Sequence, residues 1–199
     1  MLFEDGDNHI LIRAQHNSTP VLTWNEMPLI DWGSIPRLSV LELQKDLRIA
    51  ESVIKHLHPE LYRYLSKAQV DSIFKSFSVR IDKPLSYSEA FVVFSELTAL
   101  LKCGHTFPNF LNQPALIKAS VFHQRNKLPF YFKIADHRMI VTASANTVLK
   151  AGDEITAIDE KPVNEILRTL MNVMKADGNN DASRITALNT FGLNEIEPF

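Results

Sequence analysis

His105 is the side chain whose type and setting best suit proton transfer. It stands directly behind a glycine in Leu101-Lys102-Cys103-Gly104-His105-Thr106. Gly104 is placed to end the preceding helix in the left-handed conformation. That would fix the backbone of His105 and leave its imidazole free to face a cleft. An imidazole titrates near neutrality and so suits a general base. The plainer alternative is a histidine that only meets the last carbonyls of a helix. Cys103 lies two residues away, but neighbouring side chains at a helix end diverge. It reads as a small buried hydrophobe rather than half of a Cys–His dyad. No Gly-x-Ser-x-Gly elbow offers a nucleophile within the chain.

The other candidates are weaker. Phe130, Tyr131 and Phe132 should alternate across a strand, with Tyr131 facing away from the other two. They could line a groove for a polypeptide, with core packing as the plain alternative. His56 and His58 are two apart on a helix and point away from each other, so no shared metal is expected; His58 reads as a helix-end cap. Asp5, Asp7 and Asn8, and likewise Asp177, Asn179 and Asp181, are spaced like the start of a calcium loop. Neither run has the bidentate Glu at the twelfth position, so both read as solvated turns. No cofactor and no metal are expected.

These residues need elements to position them, and the sequence spells several. Ser39 with Glu42, Ser66 with Gln69, and Ser86 with Glu89 have capping-box spacing. Each opens an apolar pattern of helical period. The first is Leu43, Leu47, Ala50, Ile54 and Leu57, closed by His58-Pro59, because a residue before proline avoids helical geometry. The second is Val70, Ile73, Phe74 and Phe77; the third is Phe91, Phe94, Leu97 and Leu101. Leu128 to Ile134 and Met139 to Thr142 read as strands around an Asp136-His137 turn. Gly152 to Asp159 reads as a short strand between turns, Val163 to Met174 as a helix, and Ala182 to Asn189 as a last helix. Near the N-terminus, Ile10-Leu11-Ile12 and Val21-Leu22-Thr23-Trp24 are β-prone, and Pro28 to Pro36 reads as a linker. The expected class is α+β: a small helical bundle followed by a β-rich part.

Composition narrows the function classes. The 199 residues carry 21 Lys+Arg against 23 Asp+Glu, a net charge of −2, and no basic cluster. That argues against nucleic acid as a partner. With 45% hydrophobic residues and 12 Phe the chain can bury a core, which excludes disorder as its main state. No apolar run is long enough for a membrane span, and the acidic start at Glu4, Asp5 and Asp7 is unlike an export signal.

Leu149 to Val163, with its Gly152-Asp153 turn, strand, tight turn and following helix, resembles a PDZ-like domain, a fold that binds extended peptides by strand addition. The usual carboxylate-binding loop of that fold is not visible. Together with His58-Pro59-Glu60-Leu61-Tyr62, Cys103-Gly104-His105-Thr106 and Asp177-Gly178-Asn179-Asn180, the chain resembles the front part of a tail-specific protease, the C-terminal-processing peptidases that include the tricorn core. The likeness spans residues 38–190 and rests on the order of short motifs. Cys103 stands where the family has Asp. The resemblance implies an unassigned extended segment over 1–37, a helical bundle over 38–106, a PDZ-like domain over 107–176, and a linker and helix over 177–199 that lead toward a catalytic domain outside this chain. It implies that His105 is the general base for a serine in that domain, that Phe130, Tyr131 and Phe132 help hold a polypeptide substrate, and that this chain alone is inactive. It suggests a periplasmic or secreted protein. The alternative is a non-enzymatic PDZ-like module that binds peptides or proteins.

Overall fold

Three serines start three helices. In the computed structural model, which describes residues 2–3, 10–11, 36–109, 114, 128–144 and 148–192, α1 is Val40–Leu57, α2 is Lys67–Arg80 and α3 is Tyr87–Leu100. The hydroxyls of Ser39, Ser66 and Ser86 accept from the N–H of Glu42, Gln69 and Glu89, whose side chains reach back to the serine N–H. Each box satisfies two donors that a bare helix start would leave open. Gln44 of α1 performs the matching service at the far end of α2. Its Nε2 donates to the carbonyls of Ser78 at 2.7 Å and Ile81 at 3.0 Å.

The three helices enclose a core of Leu43, Leu47, Val70, Phe74, Phe77 and Leu97, with Leu61 and Leu65 from the α1–α2 connection. Leu57 was expected in this core and is 73% exposed. Leu61 and Leu65 fill that end of the core instead. Phe94 and Ile54 pack against the core from its margin. An antiparallel bridge, Leu38 with Leu85, closes the helical part.

The strands follow. β1 (Leu2–Phe3) and β2 (Ile10–Leu11) pair antiparallel in a unit that spans Met1–Asp31. The expected strand at Val21 to Trp24 lies outside the described residues, as does most of the expected linker at Pro28 to Pro36. In the unit Trp32–Phe199, β3 (Phe130–Ala135) and β4 (Arg138–Ser144) form a hairpin, and β5 (Glu154–Ile155) adds to β4. Asp136 and His137 both have positive φ, 49° and 59°, as a two-residue hairpin turn requires. The strand expected to run through to Ile158 breaks at Thr156. β6 (Ala157–Ile158) leaves the sheet and pairs with β7 (Lys161–Pro162) around a second such turn, Asp159-Glu160.

Two helices complete the chain, α4 (Val163–Val173) and α5 (Asp181–Phe191). With the sheet they bury a second cluster of Ile134, Met139, Val163, Leu167, Leu170 and Leu188. Val92 of α3 packs against this cluster, so α3 serves both. The fold class is α+β. No helix among the described residues is long and apolar enough to cross a membrane.

Candidate functional site

Three of the short motifs meet in space. The turn after α3 is the meeting point. Helix α3 tightens at its end, with Leu101 N–H donating to Thr98 O and Lys102 N–H to Ala99 O, both at 3.1 Å. The left-handed residue is Lys102, at φ 58°, not Gly104 as the sequence suggested. The tightened last turn brings the reversal two residues forward. Thr106 N–H then donates to Cys103 O at 3.2 Å and closes a turn around Gly104 and His105.

Long-range bonds hold this turn from both sides. Gly178 N–H donates to Lys102 O at 3.0 Å. Gly104 N–H donates to Asp177 Oδ1 at 2.9 Å. From the α1 end, His58 Nε2 lies 3.0 Å from Thr106 Oγ1. His58 Nδ1 accepts from Glu60 N–H at 3.3 Å. An acceptor nitrogen carries no proton, so the proton of neutral His58 is on Nε2 and is donated to the Thr106 hydroxyl. His58 both caps and clamps: it is the C-cap of α1, its N–H donating to Ile54 O at 3.1 Å, and its ring ties the Pro59 turn to the Thr106 turn.

The loop that supplies Asp177 is itself pinned. Arg184 is buried, and its Nε donates to Met174 O at 2.9 Å while a terminal nitrogen pairs with Asp181 Oδ1 at 2.7 Å. Asn180 caps α5 by accepting from Ser183 N–H at 3.0 Å. Gly178 has φ 62°, and a Cβ there would stand 3.2 Å from the Tyr64 ring, so glycine is needed for both conformation and space. Lys175 Nζ sits 3.5 Å from the Phe107 ring centre, a close cation–π contact.

His105 is exposed on the turn these bonds fix. Among the described residues none is hydrogen-bonded or ion-paired to its ring. Cys103 is half-buried rather than fully buried. An open depression of about 600 Å³ is lined by His58, Pro59, Glu60, Leu61, Tyr62 and Arg63. The turn displays one imidazole on a fixed backbone, a geometry that can take or give a proton at an exposed surface.

The aromatic run divides as its alternation requires. Phe130 and Phe132 pack on the second cluster, edge to face with centroids 6.5 Å apart. Tyr131 points the other way and is 77% exposed. Of the three residues read as substrate-binding, only Tyr131 offers its ring to solvent.

His56 Nδ1–H donates to the Ser52 carbonyl one turn back, at 2.7 Å. Among the described residues no group of three His, Cys, Asp or Glu side chains could hold a metal. Asp177 and Asp181 are engaged with Gly104 and Arg184; Asp5, Asp7 and Asn8 lie outside the described residues. The sequence also holds two Ser-x-x-Lys spacings, Ser52 with Lys55 and Ser72 with Lys75. A lysine base must shed its proton. Lys55 is unsuited, because its bonds to Asp71 and then Glu51 push its pKa up and keep it charged. Ser72 and Lys75 are both exposed on α2. The sequence signal that did mark the meeting point was the order of the three motifs, not any one residue.

No protein-family model, curated protein or solved structure matches the chain.

Proposed function

We propose that this chain is the N-terminal part of a tail-specific serine peptidase. His105 acts as general base for a serine supplied from outside residues 1–199. The unit from Leu128 to Met174 holds the polypeptide substrate. One observation carries the reading: His58–Thr106, Asp177–Gly104 and Gly178–Lys102 bonds hold the turn at 102–106 while the His105 ring stays exposed. A turn that served only to leave a helix would not need anchors 48 and 73 residues away in sequence. A base must be held within about 2.6–3.2 Å of its proton donor, and such anchors supply that fixity.

The test uses the protein as it occurs in its native source and a fluorophosphonate probe, which labels an activated serine. Labelling outside residues 1–199 is expected, and His105→Ala should lower its rate by about 100-fold or more, the scale of general-base catalysis. The chain 1–199 alone should hydrolyse no unfolded polypeptide. An unlabelled protein, or labelling that His105→Ala leaves unchanged, would overturn the reading. A non-enzymatic module that binds polypeptides is the second reading, favoured by the exposed Tyr131 on an edge strand.

A further inference from the structure

Helix α1 exposes more apolar surface than the two helices beside it. α2 and α3 each expose one large apolar side chain, Val79 and Leu100. Single ones are ordinary on a protein surface. α1 exposes Leu41 at its start and then Ile49 at 52%, Val53 at 49% and Leu57 at 73%. The last three stand four residues apart, so they form one continuous row. The row runs beside the buried stripe of Leu43 and Leu47. Leu57 extends it because Leu61 and Leu65 have taken its place in the core.

A cationic edge accompanies the row. Lys45 continues it by one turn toward the N-terminus, and Arg48 opens the adjacent row, followed by Ser52 and His56. All four are exposed. Among the described residues no carboxylate pairs with the side chain of Lys45 or Arg48, whereas Lys55, the other lysine of α1, is bound by Glu51 and Asp71. An exposed cation needs no partner in water, and a lone apolar side chain needs no cover. An apolar row with two free cations along one edge is more specific. Its complement is an apolar stripe edged by carboxylates.

We propose that this face of α1, Ile49, Val53 and Leu57 with Lys45 and Arg48, docks an acidic amphipathic helix of a partner protein. Rows of four-residue spacing on two helices interlock at a crossing of about −50°. The partner's apolar side chains fill the spaces along Ile49, Val53 and Leu57, and carboxylates on one of its edges meet Lys45 and Arg48. Charge selects this occupant over a second copy of the chain. In an antiparallel pair, two-fold symmetry sets the Lys45–Arg48 edge against itself. In a parallel pair the edge meets Glu42 and Asp46, and Glu42 is already bound to Ser39. The docking needs neither a base nor a nucleophile, so it stands or falls apart from the role given to His105.

The test uses the full chain and two fluorescein-labelled peptides of about 20 residues, long enough to form a helix. Both carry a Leu stripe of helical period; one has Glu along an edge of the stripe and the other has Lys there. Binding is read by fluorescence anisotropy. The Glu peptide should bind the native chain about tenfold more tightly than the Lys peptide, and Lys45→Glu with Arg48→Glu should reverse that order. Ile49→Ser with Leu57→Ser should weaken the Glu peptide by about tenfold. These four positions are exposed, so both variants should keep the native near-UV circular dichroism. The comparison of the two peptides on the native chain needs no variant, and equal affinities there would overturn the proposal. So would a Glu-peptide affinity that the serine variant leaves unchanged, which would reduce the contact to charge alone. Self-association of the native chain in sedimentation, lost in the serine variant, would assign the face to a second copy. Binding to phosphatidylserine vesicles, lost in the same variant, would assign it to a membrane surface. Either result would overturn the proposal.

Discussion

The helical part and the strand-bearing part are fixed by different kinds of bond. In the helical part the decisive contacts are local: Ser39 with Glu42, Ser66 with Gln69, Ser86 with Glu89, each three residues apart. In the strand-bearing part they are distant: Asn189 on Ile134, 55 residues apart, and Asp177 on Gly104, 73 apart. Local bonds can form before the chain has collapsed, whereas distant ones form only once loop-closure entropy has been overcome. The contrast teaches where each part is vulnerable. Helices tolerate changes that keep the cap and the buried stripe. The turn at 102–106 depends on elements that must already be in place.

The largest effects should come from the two cores. Phe77→Ala removes a fully buried ring from the first cluster and should cost about 3–5 kcal/mol. Leu188→Ala removes a fully buried side chain from the second and should cost about 2–5 kcal/mol. Because α3 packs on both clusters, urea unfolding of residues 32–199 within the full chain should remain one transition in both variants, seen alike by far-UV circular dichroism and by fluorescence. A Leu188→Ala chain whose helical signal keeps the native midpoint would break the comparison. The two clusters would then be independent folding units.

A smaller effect separates two glycines. Gly178→Ala forces a side chain into φ 62° and against the Tyr64 ring, and should cost about 1–2 kcal/mol. Gly104→Ala meets only ordinary contacts with Asp177, at 3.5 Å and beyond, in a backbone without positive φ. Its cost should stay below about 1 kcal/mol, the helix-end scale of an Ala for Gly change. The measurement is the denaturation midpoint of each variant. The reverse order would return the left-handed role to Gly104.

That pair of glycines shows what the sequence could and could not say. All three capping boxes, the core stripe of α2, the helix at α4, the Asp136-His137 turn and the alternation of Phe130, Tyr131 and Phe132 were legible, because spacing within a few residues sets each of them. Leu57 misled because periodicity cannot tell which neighbour, Leu57 or Leu61, fills the end of a core. Gly104 misled because helix tightening depends on what receives the last carbonyls, here Gly178 at Lys102. The break at Thr156 was hidden because a residue's strand partner is not written beside it. The site shows the same division. The motifs 58–62, 103–106 and 177–180 were each visible, and their meeting was not, because His58–Thr106 and Asp177–Gly104 are tertiary bonds. Asn189 carried no signal at all, since nothing adjacent to it marks an edge strand 55 residues earlier.

The smallest predicted effect is a pH dependence that belongs to the helical part. Three of its carboxyls are held below their ordinary range. Glu42 is lowered by the Ser39 hydroxyl and then the Ser39 N–H. Glu89 is lowered first by the Ser86 N–H. Asp71 is lowered by Lys55 and then Lys67. A carboxyl lowered on folding adds stability that is complete above its unfolded value and lost as pH falls through the folded one. The unfolded values are 4.5 for Glu and 3.8 for Asp. Thermal midpoints should therefore be level near neutrality and fall once the pH drops below 4.5. Replacing Glu42 and Glu89 with Gln keeps an oxygen for each serine N–H and removes the titration. The double variant should start from a lower plateau and lose less on acidification than the native chain. Asp71 stays in both proteins, so some acid loss should remain, and 0.5 M salt should reduce the part that comes from Lys67, whose side chain is exposed to screening. An acid slope that the double variant leaves unchanged would place the titrating groups outside the capping boxes. The local bonds that organise α1 and α3 would then not be the ones that acid breaks.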